Sequence, residues 1–390
     1  MEFIEKGIPL WKITIWDKRF NNVDNEWQPK TIKYNYLLSD ELNSIKSEDG
    51  DVRILYTGKE VGYTTEELAG QNLSEGEIVS IPWGGIPSVK YHKGKFVTGD
   101  NRIATSSDVN RLTNKYLYYF LRGNIHEVAS YYRGASLKHP NMKDILKMKI
   151  SFPSIDIQEK ICTQLDILES IIALRQKELL ELDKLIRARF VELFGDIKNT
   201  ESKFKTRKLG EVAIIGSSHR VFTTEFVDKG IPFYRGTEIS DLSKGIKPNC
   251  MYYISEEHYN RISSDNTKPK IGDLLMPSIC NKGQVWMVDT DEPFYYKDGR
   301  VLCISPNRDI FNTRYLEHFM KEKTQEEYAK LGSGSTFAEF KIFLLKDIDI
   351  LVPPIGLQND FATFVEQVNK SKLLAASQPQ IHIYKTLTLL

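Results

Sequence analysis

The chain has 390 residues, 41% hydrophobic and 27% charged, with a formal net charge of +1. That length provides for two or three domains, each able to bury a core, and the composition is that of an ordinary soluble globular protein. No apolar run approaches the ~20 residues of a membrane span, and the opening MEFIEKGIPLWKI lacks a signal-peptide layout.

Cys162, Cys250, Cys280 and Cys303 are far apart and form no C-x-x-C pair. Reduced thiols in a cytoplasmic protein are favoured over disulfides or a zinc site. The charge is unevenly spread. Residues 1–85 hold 9 Lys+Arg against 15 Asp+Glu, while residues 86–149 hold 12 against 4, with three His besides. A basic stretch beside an acidic one can present a positive face to a nucleic acid; a mixed solvated surface is the equal alternative.

In chain order, EGEIVSIPW (75–83) reads as a strand, and Gly99-Asp100 as the turn of a hairpin. NKYLYYFLRGNIHEVASYY (114–132) carries apolar residues at helical spacing. RGAS (133–136) is a tight loop, and a short strand then runs into Pro153. After it, Asp156 and Glu159 stand as a capping box for a helix over 158–194. Its seam is Ile161, Leu165, Leu168, Ile172, Arg175, Leu179, Leu182, Ile186, Arg189 and Leu193, in steps of four and three, and Gly195 stands next as a C-terminal cap. Such a helix is roughly 55 Å long and calls for another long helix to pack against.

The second half repeats the first. With Pro353 on Pro153, Gln358 falls on Gln158, Ile350 on Ile150, and Gly334-Ser335-Thr336 on Gly134-Ala135-Ser136. FNTRYLEHFM (311–320) resembles LTNKYLYYFL (112–121); IGDLLMPSI (271–279) resembles EGEIVSIPW; KDGRVLCISPN (297–307) resembles TGDNRIATSSD (98–108). Two copies at so long a period are a duplicated domain, not a solenoid. Each copy is an α+β unit of about 150 residues. The second long helix starts with Phe361, Val365 and Val368 on the seam, then meets Lys372, Ala375 and Pro379, which should break it after about five turns.

No catalytic constellation emerges. His126-Glu127 has no second His at the H-E-x-x-H spacing, and GSGST (332–336) has no Lys and is no P-loop. There is no N-P-P-[YFW] tetrapeptide, no G-x-G-x-x-G loop and no serine nucleophile elbow. What remains is binding chemistry: basic, aromatic and amide side chains on loops, able to touch phosphates or base edges. In the first unit the candidates are Lys90, Tyr91, His92, Lys93 and Lys95 (SVKYHKGK, 88–95), Arg102, and Arg133, Ser136, Lys138 and His139 (YYRGASLKH, 131–139). In the second they are Arg220, Arg235, Lys282 and Gln284 (CNKGQ, 280–284), Arg300, and Ser333, Ser335 and Thr336. Each stretch alone reads more readily as a solvated loop; recurrence at matching places shifts the reading toward a shared binding face.

The two Pro-x-x-x-x-Gln phrases, FPSIDIQEKICTQLDILESIIALRQKELLELDKLIRARFVELFGD (152–196) and VPPIGLQNDFATFVEQVNKSKL (352–373), resemble the conserved regions of the DNA-specificity (S) subunits of type I restriction-modification systems. The resemblance implies target recognition domains at 1–155 and 199–354, a central helix at 156–198, and a distal helix at 355–390 that departs from the family after about 377. It implies two similar α+β domains separated by long antiparallel helices with a pseudo-twofold repeat. It further implies a non-catalytic subunit that reads a bipartite double-stranded DNA target, with no metal or cofactor of its own. Two modification (methyltransferase) subunits would bring S-adenosylmethionine, and restriction subunits ATP and Mg. A coiled-coil adaptor without a DNA role, or the specificity part of another methyltransferase-nuclease system, are the alternatives; the adaptor leaves the two duplicated units unexplained.

Phosphate neutralisation supplies much of protein–DNA affinity, and a surplus of +1 is small. Titrating duplex DNA with the isolated chain in moderate salt should therefore show weak binding, which strengthens when modification subunits are added.

Overall fold

In the computed structural model the described residues are 5–17, 31–32, 34–197, 203–265, 267–331 and 338–376. The chain divides into two compact units, one of residues up to 176 and the other of residues 177–375, so the division falls within one long helix, Ile155–Phe194. Each unit mixes helix and strand, an α+β architecture.

The first unit is built on a seven-stranded sheet. Its strand order is Thr31–Ile32, Thr14–Asp17, Asn101–Ser106, Ser74–Pro82, Lys90–Thr98, Val52–Leu55 and Gly62–Thr64. A separate antiparallel pair joins Glu5–Pro9 to Lys149–Phe152. The helix Asn114–Gly123 lays Tyr116, Leu117 and Phe120 into a core with Trp16, Val79, Ile150 and Phe152. The helical reading of 114–132 is interrupted once, at Asn124, and resumes as Ile125–Ser130.

Gly99-Asp100 is not a hairpin turn. The strands on either side of it, Lys90–Thr98 and Asn101–Ser106, flank Ser74–Pro82 and both pair with it rather than with each other. The Asn101 amide, buried, donates to the Leu55 carbonyl and Thr98 Oγ1, and the Gly99 N–H donates to the same carbonyl. These bonds anchor the turn to a third strand. The Asp298-Gly299 turn behaves likewise: Tyr295–Tyr296 pairs with Ile231–Tyr234, while Val301–Pro306 pairs with Leu274–Pro277 and Ala213–Gly216.

The second unit repeats the frame of the first with less sheet. Lys205–Lys208 pairs with Asp349–Val352 as Glu5–Pro9 pairs with Lys149–Phe152. The Leu209 N–H reaches the Ile348 carbonyl, and the Leu10 N–H reaches that of Met148. Tyr315 donates to the Leu351 carbonyl, and Tyr116 to that of Ser151. The helix Thr313–Leu331 is unbroken here.

The long helix begins at Ile155, not at Gln158, and its first turn closes on the Ser154 carbonyl. Asp156 thus lies within the first turn instead of capping it. There its carboxylate still favours the positive end of the helix dipole. The helix ends at Phe194, and Gly195 comes next at φ +86°, the left-handed geometry of a C-terminal cap. The distal helix runs Ile355–Ala376; Pro379 and the tail lie outside the described residues.

At the head of both helices sits a fully buried glutamine. Gln158 Oε1 accepts from the Thr113 N–H at 3.0 Å, and its Nε2 donates to the carbonyls of Arg111 (2.7 Å) and Pro153 (2.9 Å). Gln358 Oε1 accepts from the Asn312 N–H at 2.9 Å, and its Nε2 donates to Ile310 (3.0 Å) and Pro353 (2.8 Å). This is what the repeated phrase encodes. Proline has no N–H but keeps its carbonyl, and the glutamine takes that carbonyl while fastening the loop before the domain's own helix.

The distal helix packs antiparallel to the end of the central helix inside the second unit. Lys372 pairs with Asp183, Arg189 lies over Phe364, and Phe190 and Phe194 meet Phe361 edge-on. Ile186, Val365 and Val368 complete this core. Half-buried His318 stands edge-on to Phe361. Burial, together with Lys321, Arg314 and Lys372 and against the pull of Glu317, holds its pKa down to about 4. Glu317 is buried with Arg314 at 2.6 Å and Lys321 at 2.8 Å. Burial alone would raise its carboxyl, but the two cations outweigh it and the pKa falls to about 2.

These buried groups can be tested one at a time. Gln358→Ala leaves one N–H and two carbonyls without their partner at about 1–3 kcal/mol for a buried group, so chemical unfolding should show a loss of roughly 2–4 kcal/mol. Gln358→Glu should not rescue it, because the carboxylate cannot donate. For His318, the folded pKa lies below the ordinary 6.5, so the unfolded chain binds more protons in between. Its stabilisation is complete above 6.5 and is lost as pH falls toward 4. Unfolding midpoints measured down this window should drop, and the drop should be smaller in His318→Asn.

Candidate nucleic-acid interface

The basic run 88–95 forms part of a strand, Lys90–Thr98, and most of its charge is already answered. Its antiparallel neighbour carries the acidic residues, with Glu75 opposite Lys95 and Glu77 opposite Lys93. Lys93 lies 3.7 Å from Glu77, Lys95 pairs with Glu66, and Tyr91 donates to Glu77 at 2.8 Å. Lys90 donates to the carbonyls of Tyr56 and Gly58, and burial lowers its pKa. Burial likewise lowers that of His92, whose Nε2 contacts the Lys95 carbonyl. The three lysines of this run are thus taken up by Glu77, Glu66 and two backbone carbonyls.

Residues 133–139 meet a different partner, the loop after strand Ser74–Pro82. His139 Nδ1 lies 2.7 Å from the Trp83 carbonyl, and the two rings are 5.2 Å apart. The Gly85 N–H donates to the Lys138 carbonyl, and Tyr132 donates to that of Pro82. Arg102, almost wholly buried, stacks 3.8 Å over Trp83 and pairs with Asp100 at 2.7 Å. Arg133 turns back to the Ser130 carbonyl, with Asp144 at 3.8 Å; Ser136 and Lys138 are exposed. The site in this unit is therefore an aromatic cluster, with Arg102 over Trp83 and His139 tilted against it, beneath an exposed loop.

The second unit brings equivalent places together. The Ser278 N–H donates to the Arg300 carbonyl, as the Trp83 N–H donates to that of Asp100. The Phe340 N–H donates to the Ser278 carbonyl at 2.7 Å. Glu339 binds Arg300 at 2.7 Å, Lys341, and the Ser278 hydroxyl at 3.4 Å. Its carboxyl is held below the usual range, first by the Lys341 hydrogen bond. Ser333, Ser335 and Thr336, which lead into this cluster, lie outside the described residues.

The other candidates are more scattered. The Lys282 N–H donates to Gln284 Oε1, and Gln284 Nε2 donates to Asn281, so this loop is bound to itself. Arg220 pairs with Asp298 at 3.0 Å, and Arg235 pairs with buried Glu238 and lies over Tyr252. Trp83, Asp100, Ser278, Glu339 and Lys341 were not among the sequence candidates. The signal for Glu339 was present, since the 200-residue offset sets it on His139.

The helix residues divide into zones. Ile161 and Leu165 are buried in the first unit's core, with Leu168 packed against it. Ile172 and Leu179 are half-buried, and Ile167, Ile171 and Leu174 form an exposed apolar stripe beside them. Leu182, Ile186 and Leu193 belong to the second unit's core, with Phe361, Val365 and Val368. Phe190 and Phe194, off the expected seam, are the larger contributors there. No metal-binding group of His, Cys, Asp or Glu occurs among the described residues, and none of their helices is long and apolar enough to cross a membrane.

Arg102→Ala tests what the stack does. A buried, paired and stacked guanidinium contributes to stability, so the variant should unfold about 1–3 kcal/mol more easily in denaturant. An arginine that served only to touch DNA would leave the unfolding curve unchanged.

Comparisons with known proteins agree with this architecture. Residues 26–184 match the type I restriction modification DNA specificity domain. Over 332 residues the chain is 23% identical to the type I restriction enzyme MjaVIII specificity subunit of Methanocaldococcus jannaschii, covering 80% of this chain and 76% of the relative. The fold is shared with the S subunit of a type I restriction-modification system from M. genitalium, with TM-score 0.55 at 14% identity over 97% of this chain and 94% of that one. A chain from a structural study of complex assembly and conformational transition in the type I system gives TM-score 0.50 at 15% identity, over 90% and 92%. Residues 26–184 thus match the type I restriction modification DNA specificity domain, and over four-fifths of its length the chain is similar to a specificity subunit of a type I restriction enzyme.

Proposed function

We propose that each unit reads one half of a split target in double-stranded DNA, through the loops gathered around Trp83 and His139 in one and around Ser278 and Glu339 in the other. The reading domains are residues 1–155 and 199–354. The observation that carries this is the duplication down to single hydrogen bonds: one frame, clamped by Gln158 and again by Gln358, ending in loops of different chemistry. Two similar readers suit two half-sites about one helical turn apart.

In this reading the central and distal helices set the spacing between half-sites. They also present a docking surface, of which the exposed Ile167, Ile171 and Leu174 stripe is the apolar part. Two methyltransferase subunits, binding S-adenosylmethionine, dock there; restriction subunits that use ATP and Mg join them, and the complex works in the cytoplasm. The name of the M. jannaschii relative, a restriction enzyme subunit, supports such an assembly. This chain's own part is recognition, and the chemistry belongs to its partners.

Exchanging residues 199–354 for another family member's distal domain should change one half of the methylated motif, read by sequencing methylated bases in cells that express the complex. A swap that altered both halves would show that the units do not read independently. Inserting four residues between Arg175 and Leu179 adds roughly 6 Å and about one turn. The half-sites should stay the same, with a spacer longer by about one or two base pairs at ~3.4 Å per step. An unchanged spacer would leave the helix as a docking surface only.

A further inference from the structure

The two units share a frame but exchange charge at one pair of places. Asp100 and Arg300 are equivalent, because each lends its carbonyl to the residue after the strand proline, Trp83 or Ser278. His139 and Glu339 are equivalent, because each lies against that same residue, just before the short helices Met142–Lys147 and Ile342–Lys346. Where the first unit has an acid and an imidazole, the second has a guanidinium and an acid.

We propose that Arg300, aimed by Glu339, selects a guanine in the half-site read by the second unit, while the first unit makes no such choice at its equivalent base. This rests on the reading that each unit recognises one half-site. The Arg300 side chain is 58% exposed, with one nitrogen, Nη1, on the Glu339 carboxylate. Its other N–H groups meet no hydrogen-bond partner among the described residues. A planar fork tied at one nitrogen keeps donors for the two acceptors, O6 and N7, that guanine shows in the major groove.

The acid is itself well fixed. Glu339 accepts from the Ser278 hydroxyl, and its neighbour Phe340 is buried and bonded to the Ser278 carbonyl. The carboxylate also argues against a phosphate contact. It is shared between Arg300 and Lys341 and lowers, without cancelling, the positive charge a phosphate would meet, while it orients a donor pair that gives discrimination rather than general attraction. In the first unit the guanidinium beside Trp83, that of Arg102, is buried against the indole and engaged by Asp100. That fork does not face outward.

The test expresses the chain with its modification subunits and sequences methylated bases genome-wide. The 199–354 exchange first identifies the half-site that the second unit reads. Arg300→Ala and Arg300→Lys should then relax one guanine position in that half, by a factor on the order of ten to a hundred, with the other half unchanged. Glu339→Gln should relax the same position less, which a purely structural role would not do. The proposal is overturned if that half has no guanine on either strand, or if Arg300→Ala leaves it required. Uniform weakening of all sites would overturn it too, since that marks a phosphate contact. If Arg300→Ala abolishes methylation, the lysine variant decides: a relaxed guanine supports the proposal, while a retained one or complete loss overturns it. An exchange that changes neither half, or both, counts against half-site reading itself, whatever Arg300 does.

Discussion

Each unit depends on one buried amide. Gln158 and Gln358 each bind three backbone groups that would otherwise lie unpaired in the interior: an N–H and a carbonyl from the loop before the domain helix, and the carbonyl of the proline five residues back. Only a side chain with both a donor and an acceptor on one carbon can do this. A carboxylate would lack the donors, and an apolar residue would leave all three groups unsatisfied. The clamp makes the domain and the head of its long helix one piece. Tyr116 and Tyr315, bonded to the carbonyls of Ser151 and Leu351, fix the strand on the other side of the proline.

With its head held, the central helix does different work along its length. Its first turns are core residues of the first unit, joined to the domain helix through Lys115–Asp166 at 2.5 Å, Tyr119–Asp166 at 2.8 Å and Arg122–Glu169. Its last turns lie under the distal helix, where four aromatic rings, Phe190, Phe194, Tyr315 and Phe361, pack together. Between these lies a stretch with exposed apolar side chains and charged neighbours, a surface suited to a partner rather than to a core.

The loops diverge where the frame does not. Pro82 and Pro277 end equivalent strands, and the residues that follow them, Trp83 and Ser278, anchor loops of different chemistry. An aromatic cluster stands in one unit and a carboxylate-centred ion cluster in the other. A duplicated scaffold with unlike loops is how one chain can address two unlike half-sites.

The sequence alone determined the duplication, the α+β class, the long helix with its terminal Gly195, and the family resemblance. These rest on local periodicity and on residues whose chemistry admits few substitutes, the glutamine above all. Tertiary structure decided the rest. Gly99-Asp100 looked like a hairpin turn because turn chemistry is local, but buried Asn101 ties it to Leu55 and the flanking strands both pair with Ser74–Pro82 rather than with each other. Lys90, Lys93 and Lys95 looked like a free basic patch because charge can be read from sequence but strand pairing cannot; Glu77, Glu66 and two carbonyls take them up. Trp83, Ser278 and Glu339 gain their place only when segments over fifty residues apart meet, since proximity of that range is a property of the sheet and its loops, not of any stretch of chain.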